Sequence, residues 1–121
     1  MIAGIGIDIC DTEKLKKAMK KKRFIDRVFD EKEVKYCGSK KKSGIHFAGR
    51  FAVKEAFIKA VSNDKTVGMK DVVVVNNKDG MPRIVMTDKI KGVLRKKRAK
   101  KASITISHTD NAAAAVCVLE R

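Results

Sequence analysis

Hydrophobic and polar positions alternate from the first residues of the chain. In Met1-Ile2-Ala3-Gly4-Ile5-Gly6-Ile7-Asp8-Ile9, Ile5, Ile7 and Ile9 fall on one face and Gly4, Gly6 and Asp8 on the other. That period of two predicts a buried strand over 2–9. The glycines weaken it but let a backbone or a ligand come close on the Asp8 side. Asp11-Thr12-Glu13 predicts a helix start, followed by a basic helix to about Lys22. Phe24 to Phe29 is apolar, and its type is open. Asp30-Glu31-Lys32-Glu33 reads as a capping box opening a helix to about Cys37. Apolar positions nearly encircle residues 45–62, which predicts a central, buried helix. Asp71 to Val75 and Met81 to Met86 read as a hairpin around Asn76–Gly80. A basic helix over 88–99 and strands over 102–107 and 112–119 complete the pattern. The expected order is β-α-α-α-β-β-α-β-β: an α+β fold, one small domain over 1–121, with a mostly antiparallel sheet packed on a long buried helix.

Composition sharpens the picture. The 121 residues are 44% hydrophobic and 36% charged, with a formal net charge of +15. One domain with one core is expected. No apolar run approaches the ~20 residues of a membrane span, and no signal-peptide pattern opens the chain, so a cytoplasmic protein is expected. Cys10, Cys37 and Cys117 have neither metal-ligand spacing nor a disulfide pattern and read as reduced thiols. The positive charge clusters near the first helix, at Lys40-Lys41-Lys42 and over 89–101. Charge on that scale attracts polyanions: nucleic acid, phosphorylated molecules or a very acidic protein. Most single lysines would simply be solvated.

The acids stand out against this background. Asp8 ends a strand without other charges, and Glu55 lies in the most apolar helix. A carboxylate withdrawn from water costs several kcal/mol unless it is paired, protonated or metal-bound. Glu55 and Lys59 could form an ordinary i,i+4 pair, and Asp8 could cap a helix. Together the two acids suit Mg²⁺, which needs one or two carboxylates beside waters and substrate phosphates. Arg50 and Lys54, also four apart, repel each other unless an anion lies near. Ser107-His108-Thr109 opens a turn able to face a phosphate. No Walker-type phosphate loop is present.

These motifs resemble a known family. Gly4-Ile5-Gly6-Ile7-Asp8-Ile9, Phe29 to Glu33 with Tyr36-Cys37, Arg50 to Ala60, Asp79-Gly80-Met81-Pro82 and Ser103 to Thr109 are similar, in this order, to segments of the bacterial holo-acyl-carrier-protein synthases, small phosphopantetheinyl transferases. The resemblance implies Mg²⁺-dependent transfer of the 4′-phosphopantetheine arm of coenzyme A to a serine of apo acyl-carrier protein, releasing adenosine 3′,5′-bisphosphate, in support of fatty acid biosynthesis. It implies Asp8 and Glu55 as metal ligands, Lys59 on the transferred phosphate, and Arg50, Lys54, His108 and Thr109 along the coenzyme A nucleotide and phosphates. It also implies a homotrimer with sites between subunits. The base that takes the serine proton stays open between Glu55 through a water, Asp8 and a metal-bound hydroxide. Two departures from the family pattern are Lys14, where an arginine is frequent, and Asp30, where a threonine is usual. Lys14, Lys17 and Lys21, read as one helical face, form the expected dock for the acidic carrier protein. A nucleic-acid-binding module is the competing reading. It is disfavoured because the chain has no Trp and one Tyr, and because its Phe residues are not interleaved with bases as stacking platforms require.

Overall fold

Glycine decides how the first strand packs. In the computed structural model, which describes residues 1–121, β1 (Ile2–Asp11) lies against the longest helix, α4 (Ser43–Ala60). A Cβ on Gly6 would run into the carbonyl oxygen of Ala56, and one on Gly4 into that of Ala60. Strand and helix backbones therefore touch, and only glycine fits on that face. The close approach expected on the Asp8 side is found, but the strand, expected to be buried, is covered on that side only. The glycine side points inward, while Ile5, Ile7 and Ile9 point outward and are 63%, 64% and 72% exposed.

Between these two elements run α1 (Thr12–Met19), α2 (Lys22–Val28) and α3 (Glu31–Gly38). Asp11 caps α1, its carboxylate accepting from the N–H groups of Glu13 and Lys14, so Asp8 is not needed as a cap. The open Phe24–Phe29 stretch lies mostly in α2, a fourth helix before the hairpin. The capping box opening α3 forms as expected, with Glu33 accepting from the Asp30 N–H. After α4 come a short 3-10 turn (Met69–Asp71), a hairpin of β2 (Val74–Asn76) and β3 (Pro82–Ile84), α5 (Asp88–Lys96), β4 (Lys101–His108) and β5 (Ala112–Glu120). The hairpin strands are shorter than expected.

The main sheet is antiparallel in the order β1-β5-β4, and the hairpin forms a separate two-stranded sheet. The α+β architecture, a small antiparallel sheet on a long buried helix, is as the pattern predicts. Helix α4 crosses the sheet diagonally. Gly49 faces Ile106 of β4, whereas Ala56 and Ala60 face β1. The core sits between this helix and the sheet, with Ala48, Ala52, Ala56, Phe57, Cys117 and Leu119 fully buried or nearly so. No helix is long and apolar enough to cross a membrane.

Candidate active site

At the β1 edge of α4 the acids and one lysine converge. Lys59 Nζ donates to Asp8 Oδ1 at 3.2 Å and to the Ile7 carbonyl oxygen at 2.9 Å. Lys59 thus pairs across elements with Asp8, not along the helix with Glu55. The Asp8 side chain is 17% exposed and that of Lys59 49%. Glu55 is half-buried beside them. Burial first, and then the Asp8 charge, push the Glu55 carboxyl above its ordinary range, with Lys59 opposing. A carboxyl pushed up by burial and by a neighbouring carboxylate offers what a divalent cation relieves. No third His, Cys, Asp or Glu completes a cage. That suits Mg²⁺, which keeps waters and substrate phosphates in its shell. Cys10 lies nearby, but its thiol is pushed up to about 11 by burial, then by Asp8, Asp11 and Glu55, and is inert.

The proposed nucleotide residues lie elsewhere. Lys54 is a correction. It is fully buried, and Nζ donates to Glu33 Oε1 at 2.7 Å, to the Val72 oxygen at 2.6 Å and to the Met69 oxygen at 3.1 Å. All three of its donors are satisfied inside the protein, so Lys54 is internal structure and not a coenzyme A contact. Glu33, whose only sequence signal was its capping box, also accepts the Val74 N–H at 2.9 Å. Arg50 is 4% exposed, donates from Nη2 to Asn76 Oδ1, and lies 4.6 Å from the centroid of the Tyr36 ring.

His108 and Thr109 are exposed at the end of β4. Thr109 Oγ1 accepts from the N–H groups of Asn111 and Ala112, and Nδ1 of His108 lies 3.3 Å from the Thr109 oxygen. Both line a cavity of about 430 Å³ with Lys41, Gly44 and two ion pairs, Lys16 with Glu13 and Lys42 with Asp110. The cavity sits at the N-terminus of α4, whose cap residue Lys42 makes no side-chain cap bond. Free N–H groups and lysines make it suited to an anion. Sequence reading did not single out Lys16, Lys41 and Lys42 here; the basic run was visible, its placement was not. Twelve residues of helix, about 18 Å, separate this end of α4 from Glu55. A single chain therefore does not bring the two groups together.

Lys14 and Lys17 are exposed on α1, but Lys21 does not share their helix. It is the extended N-cap of α2, because α1 ends at Met19. An apolar groove of about 260 Å³ runs beside the acid cluster, lined by Ile9, Leu15, Ala18, Phe24 and Phe51, with Lys14 also on its wall.

Known proteins share this fold. A family profile described as the 4′-phosphopantetheinyl transferase superfamily matches residues 4–117. A holo-[acyl-carrier-protein] synthase of Thermodesulfovibrio yellowstonii is 41% identical over 121 residues, covering 98% of this chain and 99% of that protein. Among solved structures, the synthase of Bacillus anthracis in complex with CoA (3′,5′-ADP) is 32% identical with a TM-score of 0.82, over 99% of this chain and 97% of that one. The Neisseria meningitidis synthase reaches a TM-score of 0.90 at 26% identity, covering both chains completely. The chain belongs to the holo-[acyl-carrier-protein] synthases, within the 4′-phosphopantetheinyl transferase superfamily.

Proposed function

We propose that this chain transfers the 4′-phosphopantetheine arm of coenzyme A to a serine of an apo acyl-carrier protein, with Mg²⁺ held by Asp8 and Glu55. The observation that carries the metal reading is the meeting of Asp8, Glu55 and Lys59 at one sheet edge. The donor set fits: two adjacent acids, one cation and no closed cage. When bound, Mg²⁺ supplies charge neutralisation on the pyrophosphate. The serine gives its proton to a carboxylate of the acid pair, directly or through a water, its Oγ forms the new P–O bond, the pyrophosphate P–O bond breaks, and adenosine 3′,5′-bisphosphate leaves with that electron pair. Lys59, half exposed and tethered by Asp8, neutralises charge on the transferred phosphate. Phosphoryl transfer demands chiefly such positioning and electrostatic support.

The nucleotide end is served by Arg50 and by His108 and Thr109, the last two lining one cavity with Lys16, Lys41 and Lys42. Since one chain keeps that cavity apart from the acids, the complete site is built between copies. The outer sheet face supports this. Ile5, Ile7 and Ile9 of β1 stand beside Val118, Val116 and Ala114 of β5, and β1 is a free edge. An apolar face on an unpaired edge is an association surface, and a homotrimer fits the family. The carrier protein docks over α1 and the start of α2, with Lys14, Lys17 and Lys21 steering its acids and the apolar groove taking side chains beside the acids. Fatty acid synthesis in the cytoplasm is the setting this implies.

The test is mass spectrometry of apo carrier protein incubated with the chain, coenzyme A and Mg²⁺. Gain of the phosphopantetheine mass on the serine is expected. It should be lost with chelator and in Asp8→Ala and Glu55→Ala, while circular dichroism stays unchanged. Near-normal transfer by either variant would refute the metal assignment.

A further inference from the structure

Helix α4 buries two cations one turn apart, and the fold treats them differently. Arg50 and Lys54 lie about 40° from each other around the helix. Lys54 receives the Glu33 carboxylate at 2.7 Å. Arg50 receives no acid. Its Nη2 donates to the neutral Asn76 amide, its guanidinium lies over the neutral Tyr36 ring, and its buried Nε has no partner. Lys40 brings a second cation to that ring, its Nζ 4.6 Å from the Tyr36 centroid, and His46 packs edge-on to the same ring. A buried guanidinium without a counter-charge is costly. The arrangement makes sense where an anion arrives.

Asn76 is held from its other end as well. Its Nδ2 donates to the Gly80 carbonyl oxygen at 2.8 Å, and Gly80 sits in the turn with φ +81°. That bond fixes which way the amide points. The carbonyl oxygen must face Arg50, so the guanidinium is oriented without being neutralised.

We propose that Asn76 and Tyr36 are positioning residues that hold the Arg50 guanidinium for an anionic group of coenzyme A, and that the neutrality of position 76 keeps its charge available to that group. This rests on the reading of Arg50 as a coenzyme A contact. The anion it serves is not the phosphate undergoing transfer in the same chain, because Arg50 and Glu55 are about 140° apart around α4.

Asn76→Asp sets a carboxylate against Arg50 in place of the amide, forming an ion pair at the expense of the Gly80 bond. Asn76→Ala removes both bonds. Steady-state kinetics with coenzyme A varied at saturating carrier protein, together with melting temperatures, decide the matter. Arg50→Ala is expected to raise KM for coenzyme A by roughly tenfold or more, the scale of a charge-assisted hydrogen bond. Asn76→Asp is expected to do the same, with kcat within about twofold and the melting temperature unchanged or higher. Asn76→Ala should raise KM less and lower the melting temperature. A wild-type KM in Asn76→Asp beside a raised KM in Arg50→Ala would overturn the positioning role. A lowered melting temperature and kcat in Asn76→Asp without a KM change would do the same, leaving a purely structural residue. A wild-type KM in Arg50→Ala would instead overturn the underlying reading of Arg50.

Discussion

Replacing Glu33 by alanine should damage the protein more than any surface change. The carboxylate is buried and holds three donors: the Lys54 ammonium at 2.7 Å, the Val74 N–H at 2.9 Å and the Asp30 N–H at 2.9 Å. Lys54 itself is fully buried, and burial already pushes its pKa down although Glu33 pulls the other way. Breaking a buried pair from one side costs about 3–5 kcal/mol, because the remaining charge is stranded. An unsatisfied buried Val74 N–H adds about 1–3 kcal/mol. A chain of this length has roughly 6–18 kcal/mol in total, so Glu33→Ala removes a large share. At roughly 3–5 °C per kcal/mol the melting temperature should fall by more than about 12 °C. The double variant Glu33→Gln, Lys54→Met removes both charges and should be less damaged than Glu33→Ala, since no ion is left alone. Calorimetry or thermal circular dichroism reads both. A fall of less than about 5 °C in Glu33→Ala, or additive losses in the double variant, would refute the argument that charge pairing holds α3, α4 and β2 together.

The other expectations follow from the same geometry. Lys59→Ala should lower kcat more than it changes KM for coenzyme A, as the role proposed for its charge on the transferred phosphate requires; a pure KM effect would contradict that role. Reversing Lys14, Lys17 and Lys21 to Glu should raise KM for the carrier protein without altering that for coenzyme A, and the wild-type carrier KM should climb with salt, as screening over about 10 Å at 0.1 M requires. Native Cys10, Cys37 and Cys117 should resist a thiol reagent at pH 8 and all react in denaturant, because burial pushes them up to about 11, about 11 and about 12. The His46 pKa is lowered by burial and then by Arg50, Lys40 and His108; an anion beside these cations favours the charged imidazole, so coenzyme A should raise it in an NMR titration.

What the sequence revealed depended on how local the physics was. The Asp30–Glu33 capping box, the Asp11 start of α1 and the apolar girdle of α4 are decided within a few residues, and each is found where the pattern puts it. The fate of Lys54 was hidden because its counter-ion lies 21 residues earlier, on another helix. Arg50 and Lys54 look alike in sequence; only the tertiary fold gives one a carboxylate and the other an amide. Lys21 fell off the expected face because the chain leaves helical geometry after Lys20, which no strong breaker announces.

The first strand, expected to be buried, is covered on one side only, and for a more general reason. Alternation reports that a strand has two faces; it does not say which face the chain's own helix will cover. Isoleucine seems the natural inward choice, but α4 approaches so closely that its carbonyls occupy the space where Cβ atoms would stand on Gly4 and Gly6. Burying the glycine face puts helix backbone beside strand backbone and draws Asp8 in with it, to meet Glu55 and Lys59. Burying the isoleucine face instead would hold the helix off by a side-chain layer and turn Asp8 toward solvent. The outward isoleucines are therefore the counterpart of the acid cluster. A strand packed by glycine to build the site has its apolar face left over, and that face is available to another copy.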